Sequence, residues 1–569
     1  MAKKVAEAII ETLRSAGVKR CYGIVGDTLN DIAHCIDKSD IDWVHVRHEE
    51  AGAFAAGAEA MLTGHLTAIA GSCGPGSLHF INGVYECNRN RAPVILIASQ
   101  VMRSELGFDF IQEVDFKEVY RGCSVYCDMI HTPEQARRKT VIACQAAIAK
   151  RGVAVLIVPV DVSKAEITPD IPYHVHVSAP VITPNDEELD RIAGILNAGK
   201  KIAIYAGSGC QGAHAEIIAT AKKLLAPVAH TTRAKDFVEY DNPHNVGMTG
   251  LIGGEAGYRT VLDCDTLLLL GADFAWRQFY PDKAQIVQVD IEPTHLGRRH
   301  PVTAASVGSI KPTLAALLPR LQQRHDASFH DEHVARYRHM MEERYAKAKA
   351  AHGDIITGTY LTTLIDRYAA DDALFAGDDG TPVVWLHQYV KVNGKRRTFG
   401  SLLHGTMATA LPSALGLQAC QPGRQVISMS GDGGIAMLFG ELLTAIQENL
   451  PVKIVVYDNG KLGFVEIEQK TEGLLPTFTN LKNPDFGKVA EAIGLWGRTV
   501  AKARDLDSAV QEWLAQPGPA LLHVKVAPMQ LVMPPFIAAE PAVGMALYAM
   551  RAVLHGRGGE VWEMARENV

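Results

Sequence analysis

Apolar residues in this chain gather into short runs, and stretches of helical spacing lie between them. In the first 180 residues the runs are Cys21-Tyr22-Gly23-Ile24-Val25, Trp43-Val44-His45-Val46, Thr67-Ala68-Ile69-Ala70, Val94-Ile95-Leu96-Ile97 and Val153-Ala154-Val155-Leu156-Ile157. Near-continuous apolar runs suit strands buried on both faces, so the alternation predicts a doubly wound parallel sheet. The alternation returns at 201–206, 227–230, 267–273 and 286–290, and again at 374–377, 426–429 and 454–457. The predicted fold class is therefore α/β, with three doubly wound parallel-sheet domains at 1–180, 181–340 and 354–529 and a tail at 530–569. A polar, proline-bearing link (173–188) joins the first two domains, and the charge-rich stretch 329–353 reads as a solvated helical linker.

The stretch 425–461 carries the strongest chemical signal. Val426, Ile427 and Met429 form a strand that turns through Gly431-Asp432-Gly433-Gly434. A helix over 435–449 follows, with Leu438, Leu442, Ala445 and Ile446 on one face, until Pro451 stops it. Ile454-Val455-Val456-Tyr457 is the next strand, and it ends at Asp458-Asn459-Gly460. Both strands of a parallel βαβ unit finish on one sheet edge, so Asp432 and Asn459 are expected to face one crevice. A carboxylate and an amide oxygen suit magnesium, which takes about six oxygens and usually keeps phosphate among them. Either turn alone would be ordinary; the pair on one βαβ frame points to a metal.

Composition narrows the alternatives. A chain of 569 residues is too long for one core, and 47% apolar with 21% charged residues is an ordinary globular balance. A net charge of −7 argues against a nucleic-acid partner. The ten cysteines include no CxxC pair and read as buried thiols in a reducing cytosol. The first 17 residues read as an amphipathic helix closed by Gly17 rather than a signal peptide. No run of 18 apolar residues suggests a membrane span.

The GDGG turn followed by Asp458-Asn459-Gly460 resembles the motif of thiamine-diphosphate-dependent enzymes, with Asp458 where that motif has its first asparagine. The resemblance implies that Asp432, Asn459 and the carbonyl of Lys461 hold Mg2+. It also implies that Gly433, Gly434, Gly460, Leu462 and Gly463 cradle the diphosphate of thiamine diphosphate, together with Gly405 and Thr406. Met407, in Gly405-Thr406-Met407 at the opening of an apolar helix, matches the wedge that bends the bound thiamine; core filler is the alternative. Glu49, in Arg47-His48-Glu49-Glu50 before a small-residue helix, matches the carboxyl that activates the aminopyrimidine; decoration of a helix N-terminus is the alternative. Glu468 matches a substrate-side carboxylate or else is a surface charge. Gly71-Ser72-Cys73-Gly74-Pro75-Gly76 is placed beside the active site, with Phe110 and Ile111 near the acyl pocket. Asp379, after the strand at 374–377, is a second acid where relatives are apolar.

The middle domain carries a formal GxGxxG at 207–212, a weak signal because the next strand ends in Arg233 rather than an acid. Asp290 ends a later strand. With Thr249-Gly250-Leu251-Ile252 and Asp273-Phe274 through Arg277, this pattern resembles the flavin-binding domain of pyruvate oxidases and acetolactate synthases. The resemblance spreads FAD across Arg233, Thr249, Gly250, Leu251, Ile252, Asp273, Phe274, Arg277 and Asp290. In the tail, Met533-Pro534-Pro535-Phe536 and a face of Val561, Trp562, Ala565 and Val569 resemble the ending of quinone-dependent pyruvate dehydrogenases. That ending implies contact with membrane-surface lipid, although Glu560, Glu563 and Glu567 oppose anionic lipid; packing on a domain is the alternative.

The whole chain resembles the pyruvate oxidase family, closest to its quinone-dependent, FAD-containing members. The activity implied is oxidative decarboxylation of pyruvate, or a related 2-oxo acid, to acetate and CO2, with electrons passing to a quinone. A homodimer or homotetramer is implied, cytoplasmic or resting on the inner face of the cell membrane. An acetolactate-synthase-type carboligase with non-redox FAD and an oxygen-dependent oxidase stay open, as does a degenerate member suggested by Asp379 and Asp458.

Overall fold

The computed structural model describes residues 3–168, 170–178, 180–348, 354–530 and 539–568. Met533-Pro534-Pro535-Phe536 and Val569 lie outside the described residues, as does the side chain of Ala565. Three six-stranded parallel sheets are flanked by helices, with one two-stranded antiparallel pair, Lys3–Lys4 with Glu166–Ile167. The N-terminal sheet runs in space Asp42–His45, Arg20–Gly23, Thr67–Gly71, Val94–Gln100, Val153–Pro159 and Tyr126–Met129. The C-terminal sheet runs Arg397–Gly400, Leu374–Gly377, Val426–Gly431, Lys453–Asp458, Ala520–Lys525 and Trp496–Val500. Numbered within each sheet, both read 2-1-3-4-6-5. The middle sheet runs Asn245–Met248, Val228–His230, Ile202–Ala206, Thr266–Leu270, Gln285–Asp290 and Ala304–Val307, the 3-2-1-4-5-6 order of dinucleotide-binding folds.

Central strands such as Val94–Gln100 and Val153–Pro159 are buried along their whole length, as helices on both faces require. Strands Tyr126–Met129, Arg397–Gly400 and Trp496–Val500 are edge strands with polar, half-buried residues. Their patterns therefore lack the apolar runs that mark the central ones.

Two helix expectations need correction. The helix expected over 435–449 is two, Asp432–Met437 and Glu441–Gln447, so the GDGG turn is itself the first helical turn. The break at 438–440 frees the Glu441 side chain to bond across to the N-terminal domain, where it accepts from the backbone of Arg47 and His48. The apolar helix expected to open at Gly405 begins only at Ala410, because the Asp378 carboxylate caps it by accepting from Thr409 N (2.8 Å) and Ala410 N (3.3 Å). The charged stretch forms the helix Ser328–Ala348, and one face of it is not solvated. Tyr337 packs on Gly247 and Met340 on Gly254.

The tail folds back on the C-terminal domain. Helix Ala539–Leu554 crosses the end of helix Gly463–Thr471 so closely that a Cβ on Gly544 would lie 1.6 Å from the Thr471 carbonyl. Arg551 Nη1 donates to Gly473 O (2.5 Å), and the Tyr548 ring covers Lys470 Nζ at 5.1 Å. The last helix, Gly558–Asn568, leaves Trp562 exposed. Among the described residues no helix is long and apolar enough to cross a membrane.

Candidate functional site

The winding of the C-terminal sheet reverses between strands Leu374–Gly377 and Val426–Gly431, the place where open α/β sheets hold ligands. Asp378-Asp379-Gly380 follows the first strand and Asp432-Gly433-Gly434 the second. Gly434 admits no side chain, since a Cβ there would lie 1.7 Å from Asp378 Oδ2. A Cβ on Gly433 would meet Leu462 Cδ2 at 3.1 Å and Met407 Cε at 3.2 Å. The tip of Met407 and the Leu462 side chain therefore close over the glycine turn. Met407 is held there between two left-handed residues, Gly405 (φ 72), which takes that conformation freely, and Ala408 (φ 68), which is strained in it.

The two metal-motif turns are tied directly to each other. Asp432 Oδ2 accepts from Gly460 N (2.9 Å) and from Asn483 Nδ2 (2.7 Å). Asn459 Oδ1 accepts from Lys461 N (3.0 Å), and a Cβ on Gly463 would lie 2.8 Å from Asn459 Nδ2. Helix Gly463–Thr471 starts without a side-chain cap, which leaves a helix N-terminus suited to phosphate. Burial pushes the Asp432 carboxyl above its ordinary range, and the charge of Asp458 adds to the shift.

Asp458 shares two donors with Asp432 through one oxygen and turns the other toward the adjacent strand. Its Oδ1 accepts from Gly460 N and Asn483 Nδ2, both at 3.0 Å, while Oδ2 faces His523 Nε2 (2.8 Å) and Lys525 Nζ on the adjacent strand. Burial opposes its charge, but His523, Lys525 and Asn483 outweigh burial and hold the carboxyl well below the usual carboxylate range. The anion that departs from the family motif is thus neutralised locally.

The remaining acids of this edge are not. Asp378 is 1% exposed; burial pushes its carboxyl up to about 7, and Oδ2 has no partner among the described residues. Burial also raises Asp379, and the charge of Glu468 across the crevice adds to it. Glu468 itself is exposed. Among the described residues no lysine or arginine lies within 4.0 Å of Asp378, Asp379, Asp432 or Glu468, and Lys461 is committed to Glu466 (3.0 Å). An edge with unpaired acids, an amide oxygen and a glycine turn fits a hard cation carrying a diphosphate. No cluster of three His, Cys, Asp or Glu is arranged for a metal among the described residues, so magnesium here would draw on amide and main-chain oxygens.

Glu49, 7% exposed, starts helix Glu49–Thr63 on the N-terminal sheet. Its Oε2 lies 3.0 Å from His79 Nδ1, and Oε1 would lie 3.5 Å from a Cβ on Gly76. Glu49 therefore faces the glycine turn at 71–76. On that turn Gly74 (φ 64) backs onto Gln112, and Cys73 Sγ donates to Gln112 Oε1 (3.4 Å). Phe110 and Ile111 are exposed just before it. Glu441 holds the chain entering Glu49 by accepting from Arg47 N (3.0 Å) and His48 N (2.8 Å); burial pushes its carboxyl up to about 7. Asn82 ties Glu50 (2.6 Å) to Thr406 Oγ1 (3.1 Å) and His404 Nε2 (2.8 Å). Glu441, Asn82, Asn483, His523 and Lys525 escape sequence reasoning, because they reach their partners across 25 to 394 residues. Only the unexpected acid Asp458 hinted that a cation must stand nearby.

In the middle domain every residue expected to hold FAD lies at the carboxyl edge of the sheet, but not all lie together. Arg233 and Asp290 line one cavity of about 560 Å3, with Ser208, Gly209 and Gly271 at the point where the strand order reverses. Thr249 and Gly250 meet Phe274 instead: a Cβ on Gly250 (φ 105) would lie 2.6 Å from its ring. Ile252 O accepts from Gln388, and Leu251 is exposed. Asp273 is paired with Arg298 and Arg299, and Arg277 is exposed. Thr249 Oγ1 is buried without a partner among the described residues, an unmet polar atom that a nucleotide cofactor would satisfy.

Sequence comparisons match all three domains. Residues 3–119, 189–317 and 378–524 match the thiamine pyrophosphate enzyme N-terminal TPP binding domain, central domain and C-terminal TPP binding domain. The chain is 33% identical over 537 residues to a putative thiamine pyrophosphate-containing protein, YdaP, of Bacillus subtilis, covering 92% of each chain. It is 27% identical over 537 residues to a pyruvate oxidase of Lactiplantibacillus plantarum (91% of this chain, 88% of that one). It is 29% identical over 550 residues to the acetolactate synthase isozyme 2 large subunit of Escherichia coli (93% and 96%). Fold, edge chemistry and similarity along nearly the whole length converge: the chain belongs to the thiamine pyrophosphate enzyme family.

Proposed function

We propose that this protein oxidatively decarboxylates pyruvate, or a close 2-oxo acid, to acetate and CO2, using thiamine diphosphate, Mg2+ and FAD, with a quinone as electron acceptor. The observation that carries the reading is the unpaired acidic edge in which Asp432 and Asn459 are locked together through Gly460. Thiamine diphosphate supplies an electron sink for the carbon–carbon bond that breaks, and FAD takes up two electrons. Asp432, Asn459 and the Lys461 carbonyl would hold the magnesium, while Gly433 and Gly434 let the turn pack against Leu462, Met407 and Asp378 beside it. Met407 and Leu462 give an apolar wall that orients the cofactor and excludes water. Glu49, nearly enclosed beside His79, holds or releases a proton at the aminopyrimidine. Asp379 and Glu468 stand at the crevice mouth, where Glu468 can move a proton at the substrate. Arg233 and Asp290 hold the flavin nucleotide.

A second reading, carboligation with FAD as a spectator, is favoured by the 29% identity to an acetolactate synthase subunit, no lower than that to the pyruvate oxidase. Anaerobic mixing with pyruvate separates them. Oxidative decarboxylation bleaches the flavin and yields acetate; an unbleached flavin with acetolactate as product would overturn it in favour of the carboligase. Peroxide release with and without added quinone then decides whether oxygen is the acceptor. At least a dimer is part of the proposal, checked by sedimentation. A lipid contact through the exposed Trp562 is also part of it, checked by vesicle flotation.

A further inference from the structure

We propose that Glu86, a residue of the N-terminal domain, is a positioning residue for the thiamine crevice: acting through Ser401, it fixes where Met407 stands against the glycine turn. The inference rests on the thiamine site of the proposed function, but not on the substrate, the flavin or the electron acceptor.

Glu86 lies on helix Ile81–Arg89 and is 7% exposed. Its Oε2 accepts from Ser401 Oγ (2.6 Å) across 315 residues of chain, and its Oε1 accepts from Asn90 Nδ2. Both donors are neutral, and no lysine or arginine lies within 4.0 Å of the carboxylate among the described residues. Burial raises the carboxyl above its ordinary range, and the charge of Asp379 adds to the shift while Ser401 and Asn90 oppose it. A buried acid without a cation is costly to keep. What this one secures is the direction of the Ser401 hydroxyl. With its proton turned to Glu86, Ser401 Oγ keeps a lone pair that accepts from Thr406 N (2.9 Å). One directed chain therefore runs from the Thr406 amide through Ser401 to Glu86, and Thr406 is the residue before Met407.

The segment needs such a fixture. Residues 401–409 form neither helix nor strand, and Ala408 (φ 68) is strained immediately after Met407. Asp378 holds the far end by accepting from Thr409 N (2.8 Å). The near end is held from the helix that carries Glu86. One turn earlier Asn82 donates to Thr406 Oγ1 (3.1 Å) and meets His404 Nε2 (2.8 Å), and the Tyr85 ring stacks on His404 with centroids 5.7 Å apart. Asn82, Tyr85 and Glu86 share one helix face by their spacing of three and four residues. Little slack is left at the other end of the chain, since Met407 Cε would lie 3.2 Å from a Cβ on Gly433. A displaced Thr406 must therefore move the Met407 wall.

The test measures thiamine diphosphate affinity by calorimetry at millimolar Mg2+, and turnover of pyruvate, on full-length variants that separate reach from charge. Glu86→Gln keeps the reach without the charge, and should match the unaltered chain in both. Glu86→Asp keeps the charge but is one methylene short; it and Glu86→Leu should each weaken thiamine diphosphate by about 10-fold. Both should also lower kcat by about 10²-fold with KM for pyruvate unchanged, as misplacement of a wall away from the reacting atoms does. Ser401→Ala, a small change that keeps the test open should the Glu86 variants not fold, should reproduce these losses. Combined with Glu86→Leu it should add nothing. Unchanged affinity and kcat in Glu86→Leu would overturn the inference and leave the thiamine site in place. Equal losses in Glu86→Gln and Glu86→Leu, or additive losses with Ser401→Ala, would overturn it as well. Failure of the unaltered chain to bind thiamine diphosphate would overturn the thiamine site and this inference with it. Binding without oxidation of pyruvate would overturn the proposed reaction alone, and the same pattern of affinities would still decide the role of Glu86.

Discussion

The N-terminal and C-terminal sheets are wound alike, yet their carboxyl edges are equipped differently. In each the third strand runs into a glycine turn, but the turn carries Ser72 and Cys73 in one and Asp432 in the other. In each the second strand leads toward a small-residue helix, preceded or opened by Glu49 in one and by Met407 in the other. These two helices pack directly on each other, with a Cβ on Gly416 only 2.1 Å from the Ala55 carbonyl. One topology thus supplies two crevices, and side chains decide which holds a cation and which presents a single buried carboxyl. The middle domain extends the contrast: at its edge Arg233 has no carboxylate within 4.0 Å among the described residues, where the C-terminal edge gathers unpaired acids. Winding places a crevice, and the charge left uncompensated in it limits which ligands suit it.

The comparison breaks most completely at Asp432. Asp432→Ala should abolish turnover and the rise in melting temperature on adding thiamine diphosphate with Mg2+. Retention of that rise would show that the acid is not needed for binding. Glu49→Gln, the corresponding change on the other sheet, should cut turnover by about 10²- to 10⁴-fold and leave the melting-temperature rise intact. Full activity in that variant would remove Glu49 from its role.

Asp378 tests the electrostatics of the edge from behind the metal turn, where its carboxylate packs against Gly434. Its carboxyl, pushed up to about 7, holds a proton more tightly in the folded than in the unfolded chain. The associated stability is present below the ordinary carboxylate range and is lost as pH rises through about 7. Urea unfolding should therefore show a fall between pH 5 and pH 8 that Asp378→Asn reduces by about 2–3 kcal/mol. An unchanged slope would contradict this.

Lys525→Met should give the smallest effect, a loss of about 1–2 kcal/mol, since Lys525 is 46% exposed while its partner Asp458 is buried. Adding Asp458→Asn should recover most of the loss, because the amide needs no cation. Additive losses in the double variant would mean that the two do not act as a pair.

Much of this arrangement is legible in the chain, and for a physical reason. Central strands such as 94–100 and 426–431 declare themselves because burial on both faces demands apolar runs, and the GDGG turn does so because the Asp378 carboxylate packed against Gly434 excludes any side chain there. What escapes is whatever depends on distant partners. Nothing local announces that His523 and Lys525 neutralise Asp458, that Glu441 interrupts its helix to hold His48, or that Asp378 delays the helix after Met407. The spread of the FAD-site residues was likewise hidden, because Arg298 and Arg299, which occupy Asp273, follow it by about 25 residues.

The central requirement of the proposed chemistry is that the C-terminal turn bind a magnesium-borne diphosphate. Isothermal titration of thiamine diphosphate into the full-length protein, with and without millimolar Mg2+, measures this directly. Saturable binding that requires the metal and disappears in Asp432→Ala is the predicted result. Binding of equal strength without magnesium, or none at all in the unaltered chain, would contradict it.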